Sequence, residues 1–436
     1  MTNLRRLVWL YLWLLIFEGA LRKWIVPSLD APLLVIRDPV VMAIYFLALR
    51  HGLTFRNNPF FMPNLMLAVL TAGTATIFGM GNPIVTVYGL RTDYLQIPLI
   101  FLLPQIIDRD DVIAMGRFFM WAAIPIGILA VLQFRSSPES LLNKGAMGTH
   151  YGTVRPSGVF SFVSGLVNFF DLTFAFVLFG YIRSGTYKIW LLAAATVIML
   201  LAAACSGSRA CLVSMGLVAA IAIMCVLIRG RGGVGILVAA VLIFAGFLVL
   251  STLPVFQEGS EQLQRRFEDA GRFEGDTEGF VDRFFGGFLV PFSYLPEIPF
   301  WGNGLGLGTN GASAMLHGDR EFIGPESEWG RLLWECGMVL GSLLCLFRTL
   351  LFLVIGWRAF TVIRRGNFLP ALIYSACGLV ILNGQWGVPT TLGFAIFGGG
   401  LTLAACEEPL EEEDEDEDHD EGEEDEPERS DAISRT

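Results

Sequence analysis

Runs of about twenty apolar residues recur along most of this chain, and short polar connections separate them. A run of this length can cross a bilayer as an α-helix, which rises about 1.5 Å per residue. The pattern predicts an all-α polytopic membrane protein with about 12 transmembrane helices. Their expected positions are 7–26, 33–50, 63–80, 86–107, 113–133, 158–182, 188–206, 209–228, 233–253, 329–356, 369–388 and 390–406.

Two long segments lack this apolar character. Residues 251–328 carry many charges, a phenylalanine-rich stretch and the glycine run Gly302–Gly308. We expect them to form one large external loop of an integral membrane domain that covers residues 1–406. Residues 407–436 are dominated by aspartate and glutamate, so they are expected to form a disordered acidic tail on the cytoplasmic side.

Composition agrees with a membrane protein once the tail is considered separately. Of the 436 residues, 54% are hydrophobic, which is rare in soluble proteins of this size. The formal net charge is −11, but residues 407–436 alone hold 18 acids and two arginines. The other residues hold 23 acids and 28 bases, an excess of five positive charges. That excess suits basic loops facing the cytoplasm.

The basic connections give an orientation. If the N-terminus, with Arg5 and Arg6, is cytoplasmic, every short basic connection falls on the same side, as the positive-inside rule requires. Both termini are then cytoplasmic, and 251–328 lies outside. The basic residues concerned are Arg50, Arg56, Arg109, Arg117, Arg183, Lys188, Arg229, Arg231, Arg358, Arg364 and Arg365.

Six bases do not follow this rule, because they fall in the outer half of the protein. A cation near hydrocarbon depth costs roughly 2.5–3.5 kcal/mol on insertion scales unless it is paired or hydrated. The set favours a shared anionic ligand. The alternative is that they reach to the headgroups or pair with Glu18, Asp38 and Asp93. They are Arg22, Lys23, Arg37, Arg91, Arg155 and Arg209.

Metal and nucleotide chemistry find no support in the sequence. The seven cysteines form no C-x-x-C pair, and the four histidines have no zinc-binding spacing. The glycine run matches no P-loop or dinucleotide fingerprint. We therefore expect no metal, no cofactor and no nucleic-acid partner. The glycine run is expected to be a tight loop that approaches a helix end, or a source of amide donors for a phosphate or sugar.

The return of the chain to the membrane holds two candidate catalytic carboxylates, Glu326 and Glu328. Pro325 suits the first turn of a helix, and glutamates there favour the positive end of the helix dipole. A capping role accounts for one of the two glutamates, and helix capping does not require the other. The two side chains would point about 200° apart on a helix, so we expect them to have different roles.

Four stretches in this order resemble the O-antigen ligase and O-antigen polymerase superfamily of membrane glycosyltransferases. Arg155–Phe160 resembles its R-x-x-G-x-F entry to a helix, and Ser206–Arg209 its S-x-S-R turn. Pro299–Gly306 resembles the "P-x-x-G-x-G-x-G" of the family's large periplasmic loop, and Glu326–Gly341 resembles the motif that follows it. Phe17–Trp24 and 36–39 also look like signatures of one branch of these proteins.

The resemblance implies an enzyme of the bacterial inner membrane that needs no metal. Its donor would be a glycan on undecaprenyl diphosphate, and its acceptor a sugar hydroxyl of a surface polysaccharide. By motif, donor-diphosphate binding is assigned to Arg155 and Arg209, then to Arg91 and Arg283. The family often has a histidine at the acceptor position. Glu326 stands there in this sequence, where a carboxylate could act as general base.

Three functions stay open at this stage. A glycosyltransferase is the first reading, with polymerase slightly favoured over ligase. A polytopic transporter or a flippase for lipid-linked sugars is the alternative, although the sequence has no clear inverted repeat. A non-catalytic assembly partner in polysaccharide export is the third.

Overall fold

A computed structural model of the chain describes residues 1–55, 58–79, 82–144, 147–148, 154–229, 233–274, 287–309, 311–312, 324–325 and 327–407. Helices dominate these residues. The first eight are α1 (Thr2–Ala20), α2 (Asp30–Leu33), α3 (Arg37–Arg50), α4 (Phe61–Phe78), α5 (Pro83–Leu90), α6 (Ile97–Leu102), α7 (Arg109–Arg135) and α8 (Val163–Ile182). They are followed by α9 (Ile189–Ser206), α10 (Arg209–Arg229), α11 (Gly233–Leu250), α12 (Pro254–Glu274), α13 (Glu328–Thr361), α14 (Leu369–Asn383) and α15 (Pro389–Cys406).

Shorter elements join these helices. Two π-helical turns, Leu21–Ile25 and Arg91–Leu95, follow α1 and α5 directly. A small antiparallel hairpin pairs β1 (Met147–Gly148) with β2 (Val154–Arg155). The 3-10 turns are Pro27–Leu29, Leu103–Gln105, Leu141–Asn143, Leu295–Glu297 and Val362–Arg365.

Eight of the described helices are long and apolar enough to cross a membrane, which confirms the prediction of a polytopic helical membrane protein. They are α4, α7, α8, α9, α10, α11, α13 with the turn after it, and α15. The other predicted crossings coincide with α1, which carries charges, the short helices α3 and α14, and the interrupted stretch 83–105. The count of twelve therefore stays a prediction, as does the external position of 251–328.

The apolar helices differ in how much of their surface other helices cover. In α8 and α15, 89% of the most apolar window is buried, against 17% in α11. Glycines of α15 allow its close contacts, as is common between membrane helices. A Cβ at Gly400 would lie 2.2 Å from a Leu103 side-chain carbon, and one at Gly398 would lie 2.6 Å from Cβ of Cys377. The helices α8 and α15 thus form the centre of the bundle.

Both described ends of the chain lie at one end of the bundle, here called the basic end. There, Arg5 Nη2 of α1 lies 2.7 Å from Asp108 Oδ2, which caps α7. The Asn367 amide donates to the Ala405 carbonyl, at the close of α15, over 2.7 Å. A cavity of about 300 Å³ lies at the same end of the bundle, and its lining includes Thr54, Gln105, Arg358 and Glu407.

The cap of α7 is charge-assisted. The Asp108 carboxylate accepts from the Asp111 N–H over 3.0 Å, and the Asp111 carboxylate reaches back to the Asp108 N–H over 3.4 Å. The hydrogen bond from Asp111 holds the pKa of Asp108 below its ordinary value, and Arg5 adds to the effect. The ion pair between Arg5 and Asp108 therefore holds the start of α1 against the start of α7.

Candidate functional site

Each π-helical turn carries buried charged side chains. The first, Leu21–Ile25, carries Arg22 and Lys23, and the second, Arg91–Leu95, carries Arg91 and Asp93. A π turn is rare and recurs at functional sites, because its extra residue moves side chains out of the helical register. Both turns lie at the end of the bundle opposite the basic end, here called the outer end. They bring two ionic clusters together.

The first cluster consists of Glu18, Arg22, Arg37, Asp38 and Arg91. Arg37 Nε donates to Glu18 Oε2 over 3.0 Å, and Arg22 Nη1 lies 3.7 Å from Glu18 Oε1. Arg91 Nε donates to Asp38 Oδ2 over 2.5 Å. All these side chains are buried except that of Asp38, which is 13% exposed. Among the described residues, three guanidinium groups of the first cluster face two carboxylates, one more base than acids.

Arg37 fastens three helices of the first cluster. Its Nη2 donates to the Pro389 carbonyl at the start of α15, and its guanidinium lies 5.7 Å from the Tyr11 ring of α1. A Cβ at Gly393 would lie only 1.9 Å from Arg37 Nη1, so α15 needs glycine there. That Nη1 atom has no hydrogen-bond partner among the described residues. The first cluster, as far as it is described, therefore has a buried donor without a partner and one more base than acids.

The loop 155–161 packs directly onto the first π turn. Lys23 Nζ donates to Ser157 Oγ over 2.6 Å, and Arg22 Nη1 donates to Ser161 Oγ over 3.2 Å. A Cβ at Gly19 would lie 2.4 Å from the Val159 carbonyl oxygen, so the two backbones meet closely. Arg155, half-buried on β2, precedes Ser157 by two residues. The structure thus joins two sequence motifs that lie more than a hundred residues apart.

Arg209 is the first residue of α10 and is half-buried. The S-x-S-R turn before it reverses the chain: Gly207 adopts φ +56°, and the Ser208 N–H donates to Ser206 Oγ over 3.2 Å. The start of α12 packs against Ala204, just before this turn. The same part of α12 carries Glu258, which lies 2.7 Å from Arg135 at the outer end of α7, so the turn also lies at the outer end. Gln133, on the same turn of α7, donates to Gly158 over 3.1 Å.

The second cluster consists of Asp93, Glu328, Arg331, Glu335 and Arg348. Arg331 is bonded to all three carboxylates, with Nη2 2.6 Å from Asp93 Oδ1, Nη2 2.9 Å from Glu328 Oε1 and Nη1 3.0 Å from Glu335 Oε1. Arg348 Nη1 lies 2.6 Å from the same Glu328 oxygen. Every member is at most 3% exposed. Three carboxylates and two guanidinium groups leave one formal negative charge.

The glycine run completes the second cluster. The Gly306 and Gly308 N–H groups donate to the Glu335 carboxylate over 2.8 and 2.9 Å. Below them α13 is kinked at Gly337, where φ is +81°, and this frees carbonyl groups of the preceding turn. The Asn303 N–H donates to the Trp334 carbonyl and the Gly304 N–H donates to the Glu335 carbonyl, each over 3.0 Å.

The tight-loop prediction for the glycine run is therefore confirmed. The Gly306 and Gly308 amides meet a carboxylate of this chain, so the phosphate or sugar alternative has no support from them.

The predicted site residues fall into three groups. Arg91 belongs to the first cluster and Glu328 to the second, whereas Arg155 and Arg209 are half-buried at the outer end. Glu326 and Arg283 lie outside the described residues. The pairing alternative is confirmed for three of the six outer bases, because Arg22, Arg37 and Arg91 have carboxylate partners. Their roles toward a ligand stay predictions.

Sequence reasoning did not select Arg331 and Arg348 as a site. Both are charged residues inside an apolar run, a signal already visible in the sequence. Helical spacing places Glu328 and Glu335 beside Arg331, three and four residues away. Its third partner was not visible, since Asp93 is 238 residues from Arg331. The Arg348 guanidinium also stacks 3.9 Å from the Trp386 ring centroid, a contact between the middle of α13 and the loop before α15.

Gly302→Ala is expected to lower the free energy of unfolding by at least about 2 kcal/mol. Its φ is +78°, and the left-handed region alone costs a non-glycine residue about 1–2 kcal/mol. The new Cβ would also lie 2.2 Å from the Glu335 carbonyl oxygen. Thermal unfolding in detergent, followed by tryptophan fluorescence, measures the change.

Gly73→Ala is the matched control, because it lies within α4 and a Cβ added there would meet nothing within 4 Å. It should leave stability unchanged or raise it by about 0.5–1 kcal/mol, the helical preference for alanine. Equal unfolding temperatures for the two variants would contradict the proposed close contact of the glycine run with α13.

Comparison with known proteins gives no matching family model and no matching curated protein. The resemblance of the four motifs to membrane glycosyltransferases therefore stays a prediction, and the site is interpreted from its own chemistry.

Proposed function

We propose that this protein is a membrane glycosyltransferase that moves a glycan from an undecaprenyl-diphosphate carrier to a sugar hydroxyl, as a polymerase or a ligase of surface polysaccharide. The observation that carries the proposal is the group of buried and half-buried cations on the side of the first cluster. Among the described residues, Arg37 Nη1 has no hydrogen-bond partner and Lys23 is bonded only to neutral oxygens, and Arg155 and Arg209 lie half-buried at the same end.

An anionic substrate would stabilise this arrangement. Guanidinium groups bind phosphate oxygens through paired hydrogen bonds and stay charged at any physiological pH. In glycan transfer the lipid diphosphate leaves with growing negative charge, so the same arginines would stabilise the transition state. Arg155 and Arg209 are proposed for direct contact, because both lie in the matched motifs and are half-buried at the outer end.

The acceptor hydroxyl needs a base, and Glu326 is the proposed one. Glu328 suits this role less, because both of its carboxylate oxygens accept from arginines: Arg331 bonds each of them at 2.9 and 3.0 Å. Glu328 instead fixes α13 as it enters the bundle. Glu326 precedes it by two residues in the sequence.

The direct test uses the purified protein in nanodiscs with an undecaprenyl-diphosphate oligosaccharide and an acceptor glycan. Transfer to the acceptor, with release of undecaprenyl diphosphate, supports the proposal. Tight donor binding without any product, across a panel of acceptor glycans and lipid-linked repeat units, would contradict it and favour a transporter or an assembly partner.

Glu326→Gln is expected to lower the turnover number by about 10²–10⁴-fold, the usual contribution of a positioned general base. Donor binding should not change, because the amide keeps the size of the side chain. Glu326→His should restore part of the activity. The rival result, full transfer in Glu326→Gln, would remove the proposed base and leave leaving-group stabilisation as the main contribution.

One observation favours transport as the second candidate. Asp171 of α8 is 2% exposed, forms no salt bridge among the described residues, and has an Oδ1 atom without a hydrogen-bond partner there. Ser214 of α10 is the polar group beside it. Ionisable groups at membrane depth often serve ion-coupled transport.

Asp171→Asn separates the two candidates. If Asp171 is a neutral packing group, the amide should change stability by less than about 1 kcal/mol, since no ion pair is lost. Glycan transfer should then stay at the wild-type rate. If the protein is an ion-coupled transporter, the same variant should bind its substrate and lose pH-dependent uptake into proteoliposomes.

A further inference from the structure

The basic end of the bundle is a continuous cationic surface. Thr54 and Asn58, the turn Leu103–Gln105 and the ends of α13 and α15 all line one cavity there. Tyr187, between α8 and α9, donates to the Ile113 carbonyl of α7 over 3.1 Å. A Cβ at Gly366 would meet the guanidinium of Arg229, which brings the end of α10 to the same surface.

Charge on this surface is strongly one-sided. Its described residues include eleven bases and four acids, a formal excess of seven positive charges. Nine of the bases are exposed: Arg5, Arg6, Arg50, Arg117, Arg183, Lys188, Arg358, Arg364 and Arg365. The acids are Asp108, Asp110, Asp111 and Glu407, and the first and third pair with Arg5.

The acidic tail begins on this surface. Glu407 follows α15 directly, is exposed, and lines the same cavity as Arg358. Residues 408–436 hold 17 acids and two arginines, so the tail carries about twice the charge of the surface with the opposite sign. A coil of this length has a root-mean-square extent of about 30 Å, and helices pack about 10 Å apart. The tail can therefore reach across the whole basic end.

We propose that residues 408–436 fold back over the basic end as an electrostatic cover, in the place that anionic lipid headgroups or another anionic partner would otherwise take. The contact is multivalent and needs no fixed conformation, because many weak charge pairs add up while each one stays mobile. It depends on the placement of charges and is independent of the reaction that the outer end performs.

The test is fluorescence energy transfer in the full chain, in nanodiscs of phosphatidylcholine. Labels are placed on Ser434→Cys in the tail and on Ser184→Cys, an exposed position between α8 and α9. Six native cysteines are buried, and Cys406→Ser removes the seventh from labelling. Raising the salt shortens the Debye length from about 30 Å at 0.01 M to about 3 Å at 1 M. We expect high transfer at low salt and a large fall at high salt.

A neutral-tail variant provides the matched control. With the 17 acids of residues 408–436 changed to glutamine and asparagine, and Arg429 and Arg435 to glutamine, transfer should be low at both salt concentrations. A label pair on Ser434→Cys and Ser137→Cys, which lies beyond α7 at the outer end, should give less transfer than the Ser184 pair. Adding phosphatidylglycerol to the nanodisc should lower the signal of the Ser184 pair, because its headgroups compete for the same arginines.

Two results would overturn the proposal. The first is transfer that is independent of salt and equal in the wild-type and neutral-tail chains, which means that the tail does not touch this surface. The second is transfer that appears only between separately labelled copies of the chain, which assigns the basic end to the tail of another molecule.

Discussion

Arg331→Met is expected to lower the free energy of unfolding by about 3–5 kcal/mol, the usual cost of breaking a buried ion pair from one side. Arg331 is 3% exposed and bonded to Asp93, Glu328 and Glu335. Without it, three buried carboxylates share the single guanidinium of Arg348. Unfolding of the purified protein in detergent, by heat or by a denaturant series, measures the loss.

Two further variants make this prediction specific. Arg265→Met removes an arginine whose side chain is 58% exposed and lies 4.0 Å from Glu261, so it should change stability by at most about 1 kcal/mol. Adding Asp93→Asn and Glu335→Gln to Arg331→Met should recover part of the loss, because two uncompensated charges disappear. A triple variant no more stable than Arg331→Met would mean that packing, rather than charge, dominates at this position.

A large effect on activity is expected at the two half-buried arginines. Arg155→Ala and Arg209→Ala should each lower the turnover number by roughly 10²–10³-fold, the scale of losing one group that stabilises developing charge. The lysine variants should recover only part, since lysine cannot form paired hydrogen bonds to a phosphate. Transfer from a lipid-diphosphate oligosaccharide, at equal protein content in nanodiscs, is the measurement.

Arg135→Ala is the control for charge at the same end. Its side chain is 52% exposed and pairs with Glu258, so it shares the location of the candidate arginines but has an exposed partner of its own. We expect near wild-type transfer. If Arg155→Ala and Arg209→Ala also transfer normally while their unfolding temperatures fall, both residues have structural roles and the proposed donor site loses its main support.

The two ionic clusters suggest a division of tasks at the outer end. Among the residues that the structure describes, the second cluster leaves no room for a ligand, since its members are almost fully buried. Arg331 bonds Asp93 and Glu335, and Glu335 also accepts from the glycine run. The expected task of the second cluster is to hold the kinked helix α13 against the second π turn. In the described part of the chain, the first cluster has more bases than acids and an Arg37 donor without a hydrogen-bond partner, and the loop that carries Arg155 covers it. An anion is therefore expected on the side of the first cluster.

Much of the architecture was readable from the order of apolar and polar residues. A run of some twenty apolar residues has one stable state in a bilayer, because every backbone group must be bonded within the segment. Helices such as α8 and α10 follow from that rule alone. The basic connections likewise placed Arg358, Arg364 and Arg365 together with the N-terminus, and the described contacts put these residues at one end of the bundle.

The interpretation of single charged residues needed the tertiary structure. From the sequence, Arg91 could bind a shared anion or pair with a carboxylate such as Asp38, and the glycine run could be a tight loop or a source of amide donors for a phosphate or sugar. In the structure, Arg91 pairs with Asp38, 53 residues away, and the glycine amides bind Glu335. Sequence spacing does not encode such contacts, because the energy of a buried charge depends on which partner lies within about 3 Å. Local pattern determined the helices of this protein, and only their packing decided which charges neutralise one another.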